Sequence, residues 1–182
     1  ALARRCLDDA IELAGRKTQR GVSGAMIDRS TVHRQIGETE AGLRAADQYL
    51  RSSAAALWES AREHGKVEMD ARIEVRMAST HAIRHAAEVV DSAYELFGSG
   101  AIFKTNRIQR HYQDVHTIAQ QIQGTATNFE TAGRSFLGLE SGGMLQIIQL
   151  ILYDVQDCTG WLWWHGSKAC PRLHRASPVF RS

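Results

Sequence analysis

The first 140 residues contain no proline, although the chain has two, Pro171 and Pro178. Proline lacks the amide hydrogen that the interior of an α-helix needs, so its absence over this length permits long, uninterrupted helices. Alanine, arginine, glutamate and glutamine are plentiful in the same stretch, and all four favour helix. No strand-like alternation of apolar and polar residues competes with this pattern. The sequence therefore predicts an all-α fold for residues 1–140.

A seven-residue repeat indicates how these helices pack. In the predicted second helix, one line of apolar residues recurs at this spacing, and a line of mostly small residues runs beside it. The two lines are Ile36, Leu43, Leu50 and Leu57, and Val32, Thr39, Ala46 and Ser53. Such a narrow seam, sustained over about four heptads, is typical of helices packed in a bundle. We therefore expect an up-and-down helical bundle with the leucine line in its core.

Glycine and serine residues indicate where the helices begin and end. We expect Gly15 to end the first helix, Ser30 to cap the N-terminus of the second, and Gly65 to end it. The turn Gly98-Ser99-Gly100 breaks the chain again. Together with the spacing of the apolar residues, these signals predict helices over residues 2–14, 31–64, 69–97, 106–122 and 126–138.

The composition changes near Ser141. Residues 1–140 carry 18 basic and 18 acidic side chains, whereas residues 141–182 carry four basic and two acidic ones. The later segment also holds both prolines, two of the three cysteines and three of the four tryptophans. We predict a helical domain over residues 1–140 and an atypical tail over 141–182, interpreted as a disordered or frame-shifted extension. The alternative is an element that binds a membrane surface or a partner.

Bulk properties exclude several classes of function. A net charge of +2, from 22 basic and 20 acidic side chains, argues against a dedicated nucleic-acid binder. No uncharged apolar run reaches the roughly 18 residues of a membrane span, and no signal pattern opens the chain, so a cytoplasmic protein is predicted. Three cysteines without paired spacing support neither disulfides nor zinc. His81 and His85 share a helix face but lack a third ligand, so no metal site is predicted.

The stretch ELFGSGAIFKTNRIQRHYQDVHTIAQQIQGTA, residues 95–126, resembles a segment of the acyl-CoA dehydrogenase superfamily. In that family a helix ends in a glycine-rich turn, an Arg-x-x-Arg-Asp-type helix start follows, and a flavin-contacting turn ends in Glu-Gly-Thr. The counterparts here are residues 97–100, 110–114 and 123–125. The order and spacing of these three motifs carry the resemblance, since none is specific alone.

Two further segments extend the resemblance. LAGRKTQR, residues 13–20, is similar to the basic loop that follows the first helix of the family's C-terminal domain. AGRSFLGLE, residues 132–140, resembles the branch that holds flavin-dependent monooxygenases, and RHYQDVHTIAQQ also fits that branch better than the true dehydrogenases.

The resemblance implies the C-terminal helical domain of a flavin-dependent oxidoreductase, of the monooxygenase branch. Family members carry an N-terminal helical domain and a middle β domain, so the chain is expected to be the C-terminal third of such an enzyme and inactive alone. FAD or FMN would be shared with the absent domains and a neighbouring subunit of a homotetramer, and the whole enzyme would act on a small-molecule substrate. The alternatives are an acyl-CoA dehydrogenase fragment and an oligomerising helical bundle without catalysis.

The resemblance also implies which residues contact the cofactor. In the basic loop, the positive charges of Arg16, Lys17 and Arg20 suit a flavin phosphate, although a solvated loop would carry the same charges. In the glycine turn, backbone amides could approach a phosphate, although a simple helix C-cap would also explain the glycines. The implied contacts are Arg16 and Arg20 of the basic loop, which also holds Lys17, then Ser99, Gly100 and Ala101, and finally Gln121, Gln123 and Thr125.

The catalytic base is not evident. Gln123 occupies the position where acyl-CoA dehydrogenases of this pattern place a carboxylate that removes a proton, and an amide cannot accept one. Gln121 occupies the position of a histidine in the monooxygenase branch. His116 is the nearest other candidate for a base. The alternative is that activity is altered or lost.

Overall fold

A computed structural model describes residues 1–18 and 25–139. Within these two ranges the chain forms five α-helices, whose bounds are α1 (Leu2–Arg16), α2 (Ser30–His64), α3 (Met69–Phe97), α4 (Arg107–Ala119) and α5 (Thr127–Phe136). The described residues contain no strand, and one isolated bridge joins Thr18 to Ala25. The predicted all-α fold is confirmed.

The central helix of the bundle is α3, which contacts each of the other four helices. Its burial follows from a sequence that places small or apolar residues on several sides of the helix. The buried residues are Ile73, Ala78, Thr80, Ala87, Val89, Val90, Ala93, Leu96 and Phe97. At about 1.5 Å per residue, its 29 residues extend roughly 43 Å without interruption.

Contacts along α3 define the directions of its neighbours. Gln35 of α2 bonds to Ser92, so α2 runs antiparallel to α3 after the short link at Gly65. Tyr94 of α3 bonds to Gln109 of α4, which runs antiparallel in turn. The up-and-down arrangement predicted from short links is therefore present in the described helices.

The heptad seam is buried along a different line from the expected one. Val32, Thr39, Ala46 and Ser53 are buried in α2, whereas the line Ile36, Leu43, Leu50 and Leu57 is only half-buried. The physical reason is the close approach of α2 to α3. Thr39 of the small-residue line bonds to Ser92 of α3 at 2.9 Å, and the His85 imidazole of α3 fills the space beside Gly42 of α2. The larger residues flank this line.

Two predicted helix ends are wrong. Gly15 lies inside α1, which continues to Arg16 because the amide of Lys17 still bonds to the Leu13 carbonyl at 2.9 Å. Ser30 is the first residue of α2 rather than its cap, since Arg29 takes the extended N-cap conformation without a side-chain capping bond.

The other ends lie close to their predicted positions. Gly65 ends α2 in the left-handed conformation, with φ of 66°, and Gly98 ends α3. The fourth predicted helix is shorter than expected, because α4 ends at Ala119 and a separate 3-10 turn follows over Ile122–Gly124.

The proposed boundary near Ser141 and the tail that follows it lie outside the described residues. Within the described part, no helix combines the length and apolar character that a membrane span requires.

Asn106 starts α4 and is the one helix cap in the described residues made by a side chain. Its Oδ1 accepts a hydrogen bond from the amide of Ile108 at 3.2 Å, and its Nδ2 donates to the Gly100 carbonyl at 3.1 Å. One side chain thus satisfies a free helix amide and also holds the preceding glycine turn.

We expect Asn106→Ala to lower the free energy of unfolding by about 0.5–2 kcal/mol, because the N-cap bond is lost. Asn106→Asp keeps the acceptor for the helix and should recover most of this loss. Urea denaturation followed by circular dichroism measures both. Equal stability of the alanine variant and the unmodified chain would show that the cap contributes nothing.

Candidate functional site

The turn that follows α4 is closely packed against the end of that helix. Gly124 is buried, and a Cβ atom added to it would lie 2.5 Å from the backbone oxygen of Ala119. Only glycine fits there without a shift of the backbone. The amide of Gly124 bonds to the Gln121 carbonyl at 2.8 Å, which closes the turn.

Two buried polar side chains attach this turn to the bundle. Thr80 of α3 has no exposed surface, and its hydroxyl donates to the Gln123 carbonyl at 2.8 Å. Asn128 of α5, which is 3% exposed, donates to the Thr80 hydroxyl at 3.0 Å and to the Ile122 carbonyl at 2.9 Å. A buried polar cluster of this kind fixes the turn because each group would be left unpaired if the turn moved.

The turn presents neutral hydrogen-bonding groups outward. Gln121, Gln123 and Thr125 are exposed, and the Thr125 hydroxyl is already donated to the Ile122 carbonyl at 2.6 Å. Gln123 also lines an apolar groove of about 610 Å³ between α1, α2, α3 and α4. The amides of the two glutamines can donate to and accept from a heterocyclic ring, so they fit the polar edge or side chain of a flavin.

The glycine turn that follows α3 forms a second surface. Gly98 leaves the helix with φ of 56° and ψ of −140°, and a 3-10 turn covers residues 98–102. Ser99 is exposed, and a Cβ atom on Gly100 would meet open space, so a phosphate could approach the backbone there. Ala101 has no exposed surface, and its contribution would be to support the turn from inside.

Lys17, in the described part of the basic loop, lies against this glycine turn. The ammonium group of Lys17 donates to the carbonyl of Phe97 at 2.6 Å and to that of Leu96 at 3.4 Å. Arg16 is exposed and pairs with Glu12 at 2.6 Å, which leaves its guanidinium accessible to an anion. Arg20 lies outside the described residues.

The two surfaces are far apart on the same chain. Seventeen residues of uninterrupted α3 separate Thr80, which holds the first turn, from Phe97, where the second begins, a length of about 26 Å. All the predicted contacts belong to one chain. The structure nevertheless places some of them at the turn held by Thr80 and the others beside Phe97, so the second half of α3 separates the two groups.

His116 lies on neither surface. Its Nε2 is 2.8 Å from Oδ1 of Asp91 on α3, in a half-exposed ion pair if the imidazole is protonated. Its ring packs on that of Tyr112 with centroids 4.4 Å apart, and Tyr112 packs on Tyr94 at 4.7 Å. Asp91 could orient the imidazole, but the pair belongs to the α3–α4 contact and not to the turn of residues 121–125.

No group of three or more metal-binding side chains occurs among the described residues, His81 and His85 included. The two imidazoles stack with centroids 5.8 Å apart, and Nδ1 of His85 bonds to Glu88 at 2.7 Å. Their contacts are those of packed helix side chains.

Sequence reasoning missed the side chains that hold the two surfaces in place. Thr80 and the Lys17 ammonium bond to residues far away in sequence, Asn128 bonds both to Thr80 and to the nearby Ile122, and Asn106 bonds locally. The available signal was the presence of a threonine on an otherwise apolar stripe of the third helix, since a buried hydroxyl needs a partner.

Comparison with known proteins relates the chain to flavin enzymes. Residues 2–124 match the family model described as acyl-CoA dehydrogenase, C-terminal domain. The chain is 29% identical over 137 residues to indole-3-acetate monooxygenase of Pseudomonas putida, which covers 75% of this chain and 35% of that protein. It is 28% identical over 112 residues to a pigment production hydroxylase of Rhodococcus erythropolis, and this match covers 61% of this chain and 28% of that protein. The chain thus spans about a third of the length of these relatives.

Solved structures share the fold. XiaF from Streptomyces sp., in complex with FADH2 and glycerol, superposes with a TM-score of 0.72 at 20% identity, over 77% of this chain and 36% of that one. 3-HSA hydroxylase from Rhodococcus sp. RHA1 superposes with a TM-score of 0.70 at 20% identity, over 79% of this chain and 38% of that one. A putative acyl-CoA dehydrogenase from Mycobacterium smegmatis superposes with a TM-score of 0.62 at 23% identity, over 76% of this chain and 34% of that one. The predicted resemblance in fold is confirmed.

We expect Gly124→Ala to destabilise the chain by about 1–3 kcal/mol, because its methyl group would overlap the backbone of Ala119. Gly133→Ala in α5 is the matched control. A Cβ atom there meets nothing within 4 Å, and the gain in helix propensity should stabilise the chain slightly. Chemical denaturation measures both variants. A Gly124→Ala variant as stable as the control would contradict the packing of this turn.

Proposed function

Because the chain belongs to the family of acyl-CoA dehydrogenase C-terminal domains, we propose that it is the helical domain of a flavin-dependent monooxygenase. The family resemblance stated from the sequence is thereby confirmed. The named activities of the two curated relatives, a monooxygenase and a hydroxylase, support the monooxygenase branch. The proposed substrate class is a small aromatic molecule, as the name of the Pseudomonas putida relative suggests.

The chemistry of the turn at residues 121–125 supports oxygenation over dehydrogenation of a thioester. Removal of a proton beside a carbonyl needs a base, and the exposed Gln121, Gln123 and Thr125 include none. A bound reduced flavin would itself supply the reaction with oxygen. The residues of this chain would hold the flavin ring through neutral hydrogen bonds and keep the turn rigid through Thr80 and Asn128.

The observation that carries the proposal is the separation of the two candidate surfaces by about 26 Å along α3. An FMN molecule is shorter than this distance. We propose that each flavin lies between two copies of the chain, with its ring at the 121–125 turn of one copy. Its phosphates would then lie at Arg16 and the glycine turn of the other copy, within a homotetramer.

FAD is the proposed cofactor. One surface is neutral and suits the flavin ring, and the other is basic with open glycine backbone and suits the pyrophosphate. The complex of XiaF with FADH2 supports the same choice. A cytoplasmic location is proposed with it. Among the described residues, Cys6 is a free buried thiol, whose pKa is raised to about 11 by burial and by the nearby Asp9.

The proposal is tested by replacing the matched segment of the Pseudomonas putida monooxygenase with residues 1–139 of this chain. The hybrid should bind FAD more tightly than FMN and form hydroxylated product in the presence of oxygen and a reductant for the flavin. Flavin fluorescence and product chromatography measure the two properties. A folded hybrid that binds no flavin would leave the purely structural bundle as the better hypothesis.

The shared site predicts complementation between two defective variants of the hybrid. Gln121→Trp blocks the neutral turn and Arg16→Glu repels a phosphate, and both positions are exposed, so folding should be preserved. Each variant alone should lose FAD binding, whereas co-refolded variants should recover about a quarter of the sites. About half of the randomly formed pairs combine one copy of each variant, and one of the two sites in such a pair is intact. Arg62→Glu, exposed at the far end of α2, is the control. No recovery on mixing would contradict a flavin site shared between two copies.

A further inference from the structure

Lys17 is held at both its backbone and its side chain. Its amide bonds to the Leu13 carbonyl at 2.9 Å, and its own carbonyl accepts from the amide of Met26 at 3.0 Å. Met26 is only 2% exposed, so this backbone pair is tied to the core. The side chain then reaches α3, where its ammonium lies 2.6 Å from the Phe97 carbonyl and 3.4 Å from that of Leu96.

These two carbonyls belong to the last turn of α3. Helix C-termini leave carbonyl groups without intrahelical partners and carry partial negative charge, so a cation there is favourable. Gly98 leaves the helix at the same point, and a Cβ atom on it would lie 3.6 Å from the Lys17 Nζ atom. The ammonium therefore sits against the first residue of the glycine turn.

From this geometry we infer that Lys17 is a positioning residue, whose ammonium fixes the glycine turn of residues 98–102 for an anionic cofactor group and does not itself contact that group. The cofactor half of this inference rests on the proposed flavin site. Asn106 holds the opposite side of the turn through the Gly100 carbonyl at 3.1 Å. The turn is thus fixed from two directions, Ser99 stays exposed, and the space beside the Gly100 Cα atom is open.

Lys17 thus differs from Arg16, which is proposed to contact the anion directly. Two of the three ammonium protons are directed at backbone oxygens, whereas exposed Arg16 bonds only to exposed Glu12 in the described structure. Neighbouring basic residues would therefore have separate tasks. Arg16 would meet the anion, and Lys17 would hold the backbone that meets it.

The test compares Lys17→Met with Lys17→Arg in the full chain and in the hybrid described above. Methionine keeps the unbranched stem but removes the charge and the donors, whereas arginine keeps both. Lys66→Met is the matched control. Lys66 precedes the N-terminus of α3, far from the glycine turn, its side chain is 71% exposed, and it pairs only with Glu68 in the described structure.

Amide hydrogen exchange at residues 98–102 measures the contact directly. Lys17→Met should raise exchange there about tenfold, as loss of a charge-assisted hydrogen bond implies, while amides near Thr80 stay protected. The FAD dissociation constant of the hybrid should rise about tenfold as well. Lys17→Arg should restore both quantities to near their original values, and Lys66→Met should change neither.

The outcomes separate this inference from the proposed function. Unchanged exchange at residues 98–102 in Lys17→Met would overturn the contact. Faster exchange with unchanged FAD affinity would overturn the positioning role. Exchange that rises along the whole of α3 would show a general structural role instead. If the unmodified hybrid binds no FAD, the proposed function and the cofactor half of the inference both fail, and exchange alone then decides whether Lys17 fixes the turn.

Discussion

The central position of the uninterrupted helix α3 is the constraint on which the other features depend. This helix contacts every other described helix, and its buried residues lie on several of its sides. Such a helix cannot bend or shift without disturbing all its neighbours, because packed cores lack the free volume to accommodate the change. The groups that hold the two candidate surfaces are both bound to it, Thr80 at one end and the Phe97 carbonyl at the other. Their separation is therefore fixed.

Different interactions hold the two surfaces, and the difference has chemical consequences. The turn after α4 is fixed by buried neutral hydrogen bonds among Thr80, Asn128 and backbone carbonyls, which are little affected by salt. The glycine turn is fixed by a half-buried ammonium at a helix C-terminus, a more electrostatic contact. A neutral heterocycle suits the first environment and an anion suits the second. This difference between the two surfaces agrees with the proposed placement of the flavin ring at the first and of the phosphates at the second.

The sequence predicts the helices well because their determinants are local. Absence of proline, glycines at positions 65 and 98, and apolar spacing are all properties of neighbouring residues, and the helices they predict are present. Which heptad line becomes buried depends on how closely two helices approach. The small residues are the buried ones in α2, with Thr39 bonded to Ser92 of α3 at 2.9 Å, and periodicity within α2 alone carries no information about this choice.

The surface residues of the candidate site are a prediction from the sequence, and the side chains that support them are visible only in the fold. Gln121, Gln123 and Thr125 belong to a turn with a family pattern, whereas Thr80 and Asn128 reach it from other helices. Lys17 was expected to share the role of Arg16, since sequence alone reports a charge and not its partner. Only the fold shows that the ammonium is directed at the end of α3.

The position of His116 bears on the choice between the two oxidation chemistries. A base for proton removal must reach its substrate atom by a hydrogen bond or through one water molecule. His116 is instead bound to Asp91 and packed on Tyr112, in the contact between α3 and α4. To serve the turn at residues 121–125, it would have to give up both contacts. Within the described residues, His116 could serve as such a base only by giving up its hydrogen bond to Asp91, whereas the proposed flavin binding requires only that the turn hold the cofactor. The contacts of His116 are thus consistent with the proposed oxygenation.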